Sequence, residues 1–250
     1  QHLDRINWLK VGLLKYLGTT LLTTGYWPRI IEELLMVLTT TAGEVFHNYM
    51  VGPELATKAV LIIHDWWGVL EYNRHYAHEL AKLGYQAMVI DLYDGYLPTD
   101  TKTASEYMRS LDQEVLNRKM QTALLALRTP QCKTAVLGWS FGGIQAQHAA
   151  IQNPDLVDAT VFFYCRNLLS KHNAKLLRSP VLAIFAETER TWPDKQVELE
   201  YAMSEANKTL AVSSYEADHG FVNPDSPRYD SEAAEDAWKV TVAFLEKYLA

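Results

Sequence analysis

The sequence predicts an α/β protein built on a doubly wound, mainly parallel sheet flanked by helices. Three observations carry that class. From Gly43 onward, short apolar runs rich in β-branched residues alternate with stretches of helical length. The 250 residues suffice for one large domain and are too few for two. One corner, Gly138-Trp-Ser-Phe-Gly142, joins a buried apolar run directly to a helical one.

Residues 1–41 read as a helical amino-terminal extension, and residues 42–250 as the α/β domain. In the extension Leu3, Ile6, Trp8, Leu9, Leu13, Leu14 and Leu17 recur near helical spacing, as do Ile30, Ile31, Leu34, Leu35 and Leu38. Two helices joined across Gly25–Pro28 are therefore expected, packed on the body or on another subunit of a homodimer. The uncharged run between Lys15 and Arg29 is too short to span a bilayer, and no small-residue cleavage site follows it. Stable membrane insertion is therefore not expected. Met36 would serve as a natural start, so residues 1–35 are expected to be dispensable for turnover.

The domain then reads in order. Glu44–Val51 is a first strand and Lys58–His64 a fully buried second one. Glu71–Leu83 is a helix that Gly84 ends in the left-handed conformation. Gln86–Asp91 is a strand, and two helices fill 101–128 with a break near Ser110. Residues 134–137 form the strand before the corner, and Gly143–Asn153 the helix after it, stopped at Pro154. Strands at Ala159–Tyr164, Val181–Ala186 and Thr209–Tyr215 follow, with a helix at Pro193–Asn207 and a terminal helix at Asp230–Tyr248. That helix presents Ala237, Val240, Phe244 and Tyr248 on one face. In sheets of this class, sites form beyond the carboxyl ends of the strands.

Composition bounds the partners. The chain is 48% apolar and 21% charged, ordinary for a globular protein with a sizeable core. A net charge of −7 without a basic block argues against nucleic acid or an anionic membrane. Cys132 and Cys165 form neither a metal spacing nor a disulfide framework, so reduced thiols and a cytoplasmic setting are expected. His75 and His78 lie three apart on a helix without a third ligand. No metal and no cofactor are predicted.

The corner supplies the chemistry. A strand that turns abruptly into a helix strains the corner residue and lifts its side chain clear of the sheet, while small residues on either side admit the close approach. Ser140 then stands at a helix N-terminus, where free N–H groups favour a developing oxyanion. Its base is expected at His219, which directly follows a strand. His64 is expected to orient a loop and His148 to pack in the core. An acid that holds the imidazole tautomer is offered twice after the strand Val181–Ala186, by Glu187 and Glu189. Whichever does not serve is expected to pair with Arg190. Serine, glutamate, histidine is the chain order of α/β-hydrolases.

From about Gly43 to Ala250 the chain resembles the dienelactone hydrolase family of α/β-hydrolases. The resemblance rests on His64-Asp-Trp-Trp-Gly-Val69, Gly84-Tyr-Gln-Ala-Met-Val-Ile-Asp-Leu-Tyr93, Gly138-Trp-Ser-Phe-Gly-Gly143, the strand leading to Glu189 and Pro193, and His219-Gly-Phe221. It implies Ser140 as nucleophile, His219 as base and Glu189, four residues before a proline, as acid. It implies an oxyanion hole from the backbone N–H groups of Phe141 and Trp66, and places at Asp65 an acidic residue that contacts the nucleophile. Three departures are visible. The best-known members carry cysteine where this chain has Ser140, and aspartate where it has Glu189. The positions of the two arginines that grip the dienelactone carboxylate fall on Gly95 and Asn223, with Arg166 or Arg190 as stand-ins.

The expected reaction is hydrolysis of a small, neutral or weakly polar carboxylic ester or lactone through an acyl-enzyme. The aromatic residues Trp66, Trp67, Tyr93, Tyr96, Trp139, Phe141, Tyr164, Trp192 and Phe221 are expected in or beside the pocket, about half of them as packing beneath it. Asp65, Trp67, Tyr93, Trp139, Tyr164, Trp192 and Phe221 are the candidate substrate contacts. The competing readings are a thioesterase or peptidase on the same residues, and a catalytically silent binding module.

Overall fold

The computed structural model describes residues 33–250. In chain order the elements are β1 (Leu34–Thr39), β2 (Val45–Val51), β3 (Lys58–Ile63), α1 (Glu71–Lys82), β4 (Gln86–Ile90), α2 (Thr101–Ser110), α3 (Gln113–Leu127), β5 (Lys133–Trp139), α4 (Phe141–Gln152), β6 (Ala159–Phe163), α5 (Lys171–Leu176), β7 (Val181–Ala186), α6 (Asp194–Glu205), β8 (Leu210–Tyr215) and α7 (Ser231–Leu249). The eight strands form one sheet in the order β1-β2-β4-β3-β5-β6-β7-β8. β1 and β2 run antiparallel at one edge, and every pairing from β4 through β8 is parallel.

Alternation along the inner strands divides the core between the two faces of the sheet. Leu61, Ile63 and Val136 face a cluster built with Leu116, Met120, Ala146, Ala149, Leu199 and Met203 from α3, α4 and α6. Their neighbours Val60, Ile62, Ala135 and Leu137 face the opposite cluster, built with Tyr76 and Leu80 of α1 and Ala237, Phe244 and Leu245 of α7. Strands buried on both faces explain why β3, β4 and β5 read as unbroken apolar runs. The terminal helix is also tied at its end, where Glu246 accepts from Lys58 Nζ at 2.8 Å and from Tyr85 Oη at 2.7 Å.

Two elements depart from the sequence reading. Leu34, Leu35 and Leu38 belong to a strand, not a helix. β1 pairs with β2 from Leu34 opposite Met50 to Thr39 opposite Val45. The link is a turn in which Gly43 takes φ 94° and the Thr40 N–H donates to Glu44 O. Helical spacing in a six-residue apolar run cannot be told from strand, and the ladder to β2 decides it. The sheet thus begins inside the stretch read as the extension; the first expected helix, the link across Gly25–Pro28, and Ile30 and Ile31 lie outside the described residues. The short helix α5, which sequence periodicity does not reveal, starts where the Ser170 side chain accepts from the Asn173 N–H.

The site owes its place to the strand order. β3 lies between β4 and β5, and the chain leaves it first to one side and later crosses to the other. The loops after β3 and β5 therefore diverge, opening a crevice at the carboxyl end of the sheet. Among the described residues no helix is long and apolar enough to cross a membrane.

Candidate active site

Ser140 is the residue between β5 and α4, with φ 53° and ψ −112°. That backbone is strained for a residue carrying a Cβ, and its surroundings hold it there. The Ser140 N–H donates to Phe163 O at 3.0 Å, pinning the corner to β6. A Cβ on Gly138 would lie 2.1 Å from Gly142 O, and one on Gly142 would lie 2.1 Å from Ile63 O. These glycines are the physical content of the spacing: α4 crosses so close to β3 and β5 that neither position admits a side chain.

Ser140 Oγ lies 2.8 Å from His219 Nε2, and His219 Nδ1 lies 2.5 Å from Glu189 Oε1. The three come from the loops after β5, β8 and β7, which parallel pairing brings to one end of the sheet. Glu187 is elsewhere. It accepts from Ser214 Oγ at 2.6 Å, which replaces the expected pairing with Arg190 by a bond along the β8 edge. The second oxygen of Glu189 is held by Lys195 Nζ, from the first turn of α6. Burial alone would raise the Glu189 carboxyl, but the hydrogen bonds and charges of His219 and Lys195 outweigh it and hold it below the ordinary value.

The loop after β3 is organised by Asp65. Its Oδ1 accepts from the Trp67 N–H and its Oδ2 from the Tyr72 hydroxyl, both at 2.8 Å. Burial pushes the Asp65 carboxyl up to about 6, against the pull of those two donors and of His219. His64 is fully buried and joins two loops. It accepts from the Leu92 N–H at Nε2, so Nδ1 carries the proton and donates to Asp65 O at 2.6 Å. Burial lowers its pKa, which favours this neutral tautomer.

A cavity of about 1140 Å³ opens over Ser140, large for a small-molecule site. Asp65, Trp66, Trp67, Phe141 and Tyr164 line it, as do Ile144 and Met108, which composition and spacing do not single out. Tyr93, Trp139, Trp192 and Phe221 do not. Tyr93 is fully buried against His64 and Phe141, and Trp139 against Tyr72 and Tyr76. Phe221 packs behind Tyr164, and Trp192 turns its indole N–H to Gln196 on α6. Tyr93, Trp139 and Phe221 are buried and pack behind residues of the site, whereas Trp192 is half-buried and packs toward α6. The Tyr96 ring sits against Tyr107, also off the cavity.

The remaining candidates have ordinary surroundings. His78 lies 3.2 Å from Glu33, and His75 is exposed beside Glu79. His148 is half-buried, with burial and Arg166 lowering its pKa. Cys132 and Cys165 are free and buried. Cys165 borders the cavity, but burial pushes its thiol up to about 12, which leaves it protonated and unreactive. Lys195, Tyr72 and Arg228 also reach the site region without any local signal: each is an ordinary residue on a helix or loop until the fold closes.

The family model described as the dienelactone hydrolase family matches residues 46–249. "Protein usf" of Aquifex pyrophilus is 27% identical over 220 residues, covering 83% of this chain and 95% of its own length. The "Carboxymethylenebutenolidase homolog" of Xenopus tropicalis is 29% identical, covering 80% and 87%. Among solved structures, a dienelactone hydrolase from Anabaena variabilis superposes with a TM-score of 0.67 at 23% identity, covering 88% of this chain and 99% of its own.

Proposed function

The chain belongs to the dienelactone hydrolase family, and from that premise we propose that it is a serine hydrolase of small carboxylic esters or lactones. The observation that carries the reading is the chain of contacts from Ser140 Oγ through His219 to Glu189. His219 Nε2 takes the Ser140 proton as Oγ attacks the ester carbonyl, and Glu189 holds the imidazole through Nδ1. The oxyanion is received by the N–H groups of Phe141 and Trp66. Phe141 is the first residue of α4, so its N–H has no partner within the helix. Each such donor contributes roughly 3–4 kcal/mol to the transition state. His219 then protonates the leaving alcohol, and water attacks the acyl-enzyme by the same route in reverse.

Serine in place of cysteine simplifies the activation. A hydroxyl needs only the base at 2.8 Å, with no carboxylate to switch on a thiolate. Asp65 therefore acts on the loop, holding the Trp67 N–H and the Tyr72 hydroxyl and so the turn that contains Trp66. The cavity wall widens the expected substrate range beyond neutral esters. Arg166, Arg190 and Arg228 stand on its lining beside the aromatic floor of Trp66, Phe141 and Tyr164. An acid substituent on the ester would find guanidinium partners there.

The test is covalent labelling by a fluorophosphonate, run beside a panel of activated esters, lactones, thioesters and peptides. Labelling confined to Ser140, with ester or lactone turnover exceeding thioester and peptide turnover, is the expected result. An unlabelled Ser140 would point instead to a silent binding module.

A further inference from the structure

Lys195 has no place in a plain serine, histidine, carboxylate arrangement, yet it is built into this one. It is 9% exposed and lies in the first turn of α6, where the helix dipole disfavours a cation. Its Nζ rests 5.8 Å from the Phe185 ring centroid and is bonded to Glu189 Oε2. Glu189 thus spends one oxygen on His219 and the other on a buried ammonium.

We propose that Lys195 is a positioning residue for the reaction: it locks Glu189 as an anion in one rotamer and sets a fixed positive charge behind the carboxylate that His219 faces. The proposal rests on the reading of Ser140, His219 and Glu189 as the catalytic residues. Glutamate has one more rotatable bond than aspartate, and that freedom must be removed for its carboxylate to serve a ring nitrogen. Lys195 removes it from the side opposite His219. The charge effect follows from summing the group. With Lys195 present, protonating His219 turns a neutral Lys–Glu pair plus imidazole into a net cation; without it, the imidazolium would face an uncompensated carboxylate.

The groups around His219 come from every surrounding loop. They are Asp65 after β3, Ser140 after β5, Tyr164 after β6 with its ring centroid 5.0 Å away, and Glu189 after β7. Asp218 in its own loop accepts from Thr188 Oγ1 at 2.6 Å. Arg166, Arg190, Asp194, Glu198 and Arg228 line the same cavity. A substitution at Lys195 changes the identity of none of them, so a moved limb is traced to the lysine and to its hold on Glu189.

The experiment is the pH dependence of kcat/KM for an activated ester in the wild type, Lys195→Met, Lys195→Gln and Lys195→Arg, with Ser140→Ala as the blank. In Lys195→Met and Lys195→Gln the acid limb is expected to move up by roughly one pH unit. Lys195→Arg, which keeps the charge, should follow the wild type. A lysine that only braces the fold would lower turnover alike at every pH and leave the limb in place; superimposable limbs in the neutral variants would overturn the proposal. So would unfolding of both neutral variants throughout the pH range, since the pair would then be structural. Ester turnover that persists in Ser140→Ala would sink the underlying serine reading instead, a result distinct from either.

Discussion

On the proposed mechanism Ser140, His219 and Glu189 act as a unit, so the loss of Ser140 or His219 should be felt in turnover and hardly in stability. Ser140→Ala and His219→Ala are each expected to lower kcat by about 1,000-fold or more, read in a steady-state ester assay with the fold checked by circular dichroism. The two glutamates should separate sharply. Glu189→Gln removes the charge 2.5 Å from His219 Nδ1, whereas Glu187→Gln loses only a bond to Ser214. We expect at least a 100-fold loss for the first and less than about threefold for the second; the opposite order would move the acid by two positions. Asp65 gives a pH signature in stability. Its carboxyl is raised from an ordinary 3.8 to about 6, so the folded state binds the proton more tightly than the unfolded chain. The stabilising contribution is complete below the ordinary value and is lost as pH rises through about 6. Denaturant titrations across pH 4 to 7 should show wild type losing stability relative to Asp65→Asn, by an amount on the order of a few kcal/mol. A constant difference across that range would remove Asp65 as a buried acid.

The corner between β5 and α4 is the element on which the site turns. Its glycines are required by backbone approach and not by flexibility, since Cβ atoms at Gly138 and Gly142 would each sit 2.1 Å from a carbonyl oxygen. Gly142→Ala must push α4 away from β3, and with it the Phe141 N–H away from the position proposed for the oxyanion. The expected outcome is a drop of about 3 kcal/mol or more in chemical denaturation, comparable to severe overpacking, together with loss of fluorophosphonate labelling. A stable, fully labelled variant would show that the helix has slack there. β1 illustrates the opposite case, in which local pattern misleads. Leu34, Leu35 and Leu38 fit a helical stripe, but the same residues also suit an edge strand, and only a partner at β2 distinguishes them.

At the scale of the molecule, the described residues that line the cavity fall between Asp65 and Arg228. A chain starting at Glu33 keeps all eight strands of the described sheet, and its ester turnover is expected to match the full chain within about twofold. Activity lost with the sheet intact would assign residues 1–32 a part in shaping the site. The strand order explains why one crevice collects residues so distant in sequence. Loops after β3, β5, β6, β7 and β8 all open on the same end because those strands are parallel, and the reversal at β3 parts them.

The sequence by itself determined the class of the fold, the corner at Ser140 and the approximate place of each inner strand. Those are signals of period and spacing, carried by residues close together in the chain. It also narrowed the acid to Glu187 or Glu189, with the family pattern favouring the second. Only the tertiary structure decided that Leu34–Thr39 is a strand, that Tyr93, Trp139, Trp192 and Phe221 do not line the cavity, and that Lys195 stands behind Glu189. Some of those contacts span few residues, Lys195 and Glu189 lying six apart and β1 pairing with the next strand, but none follows from local period or spacing, because each depends on how the assembled sheet orients its loops and edges.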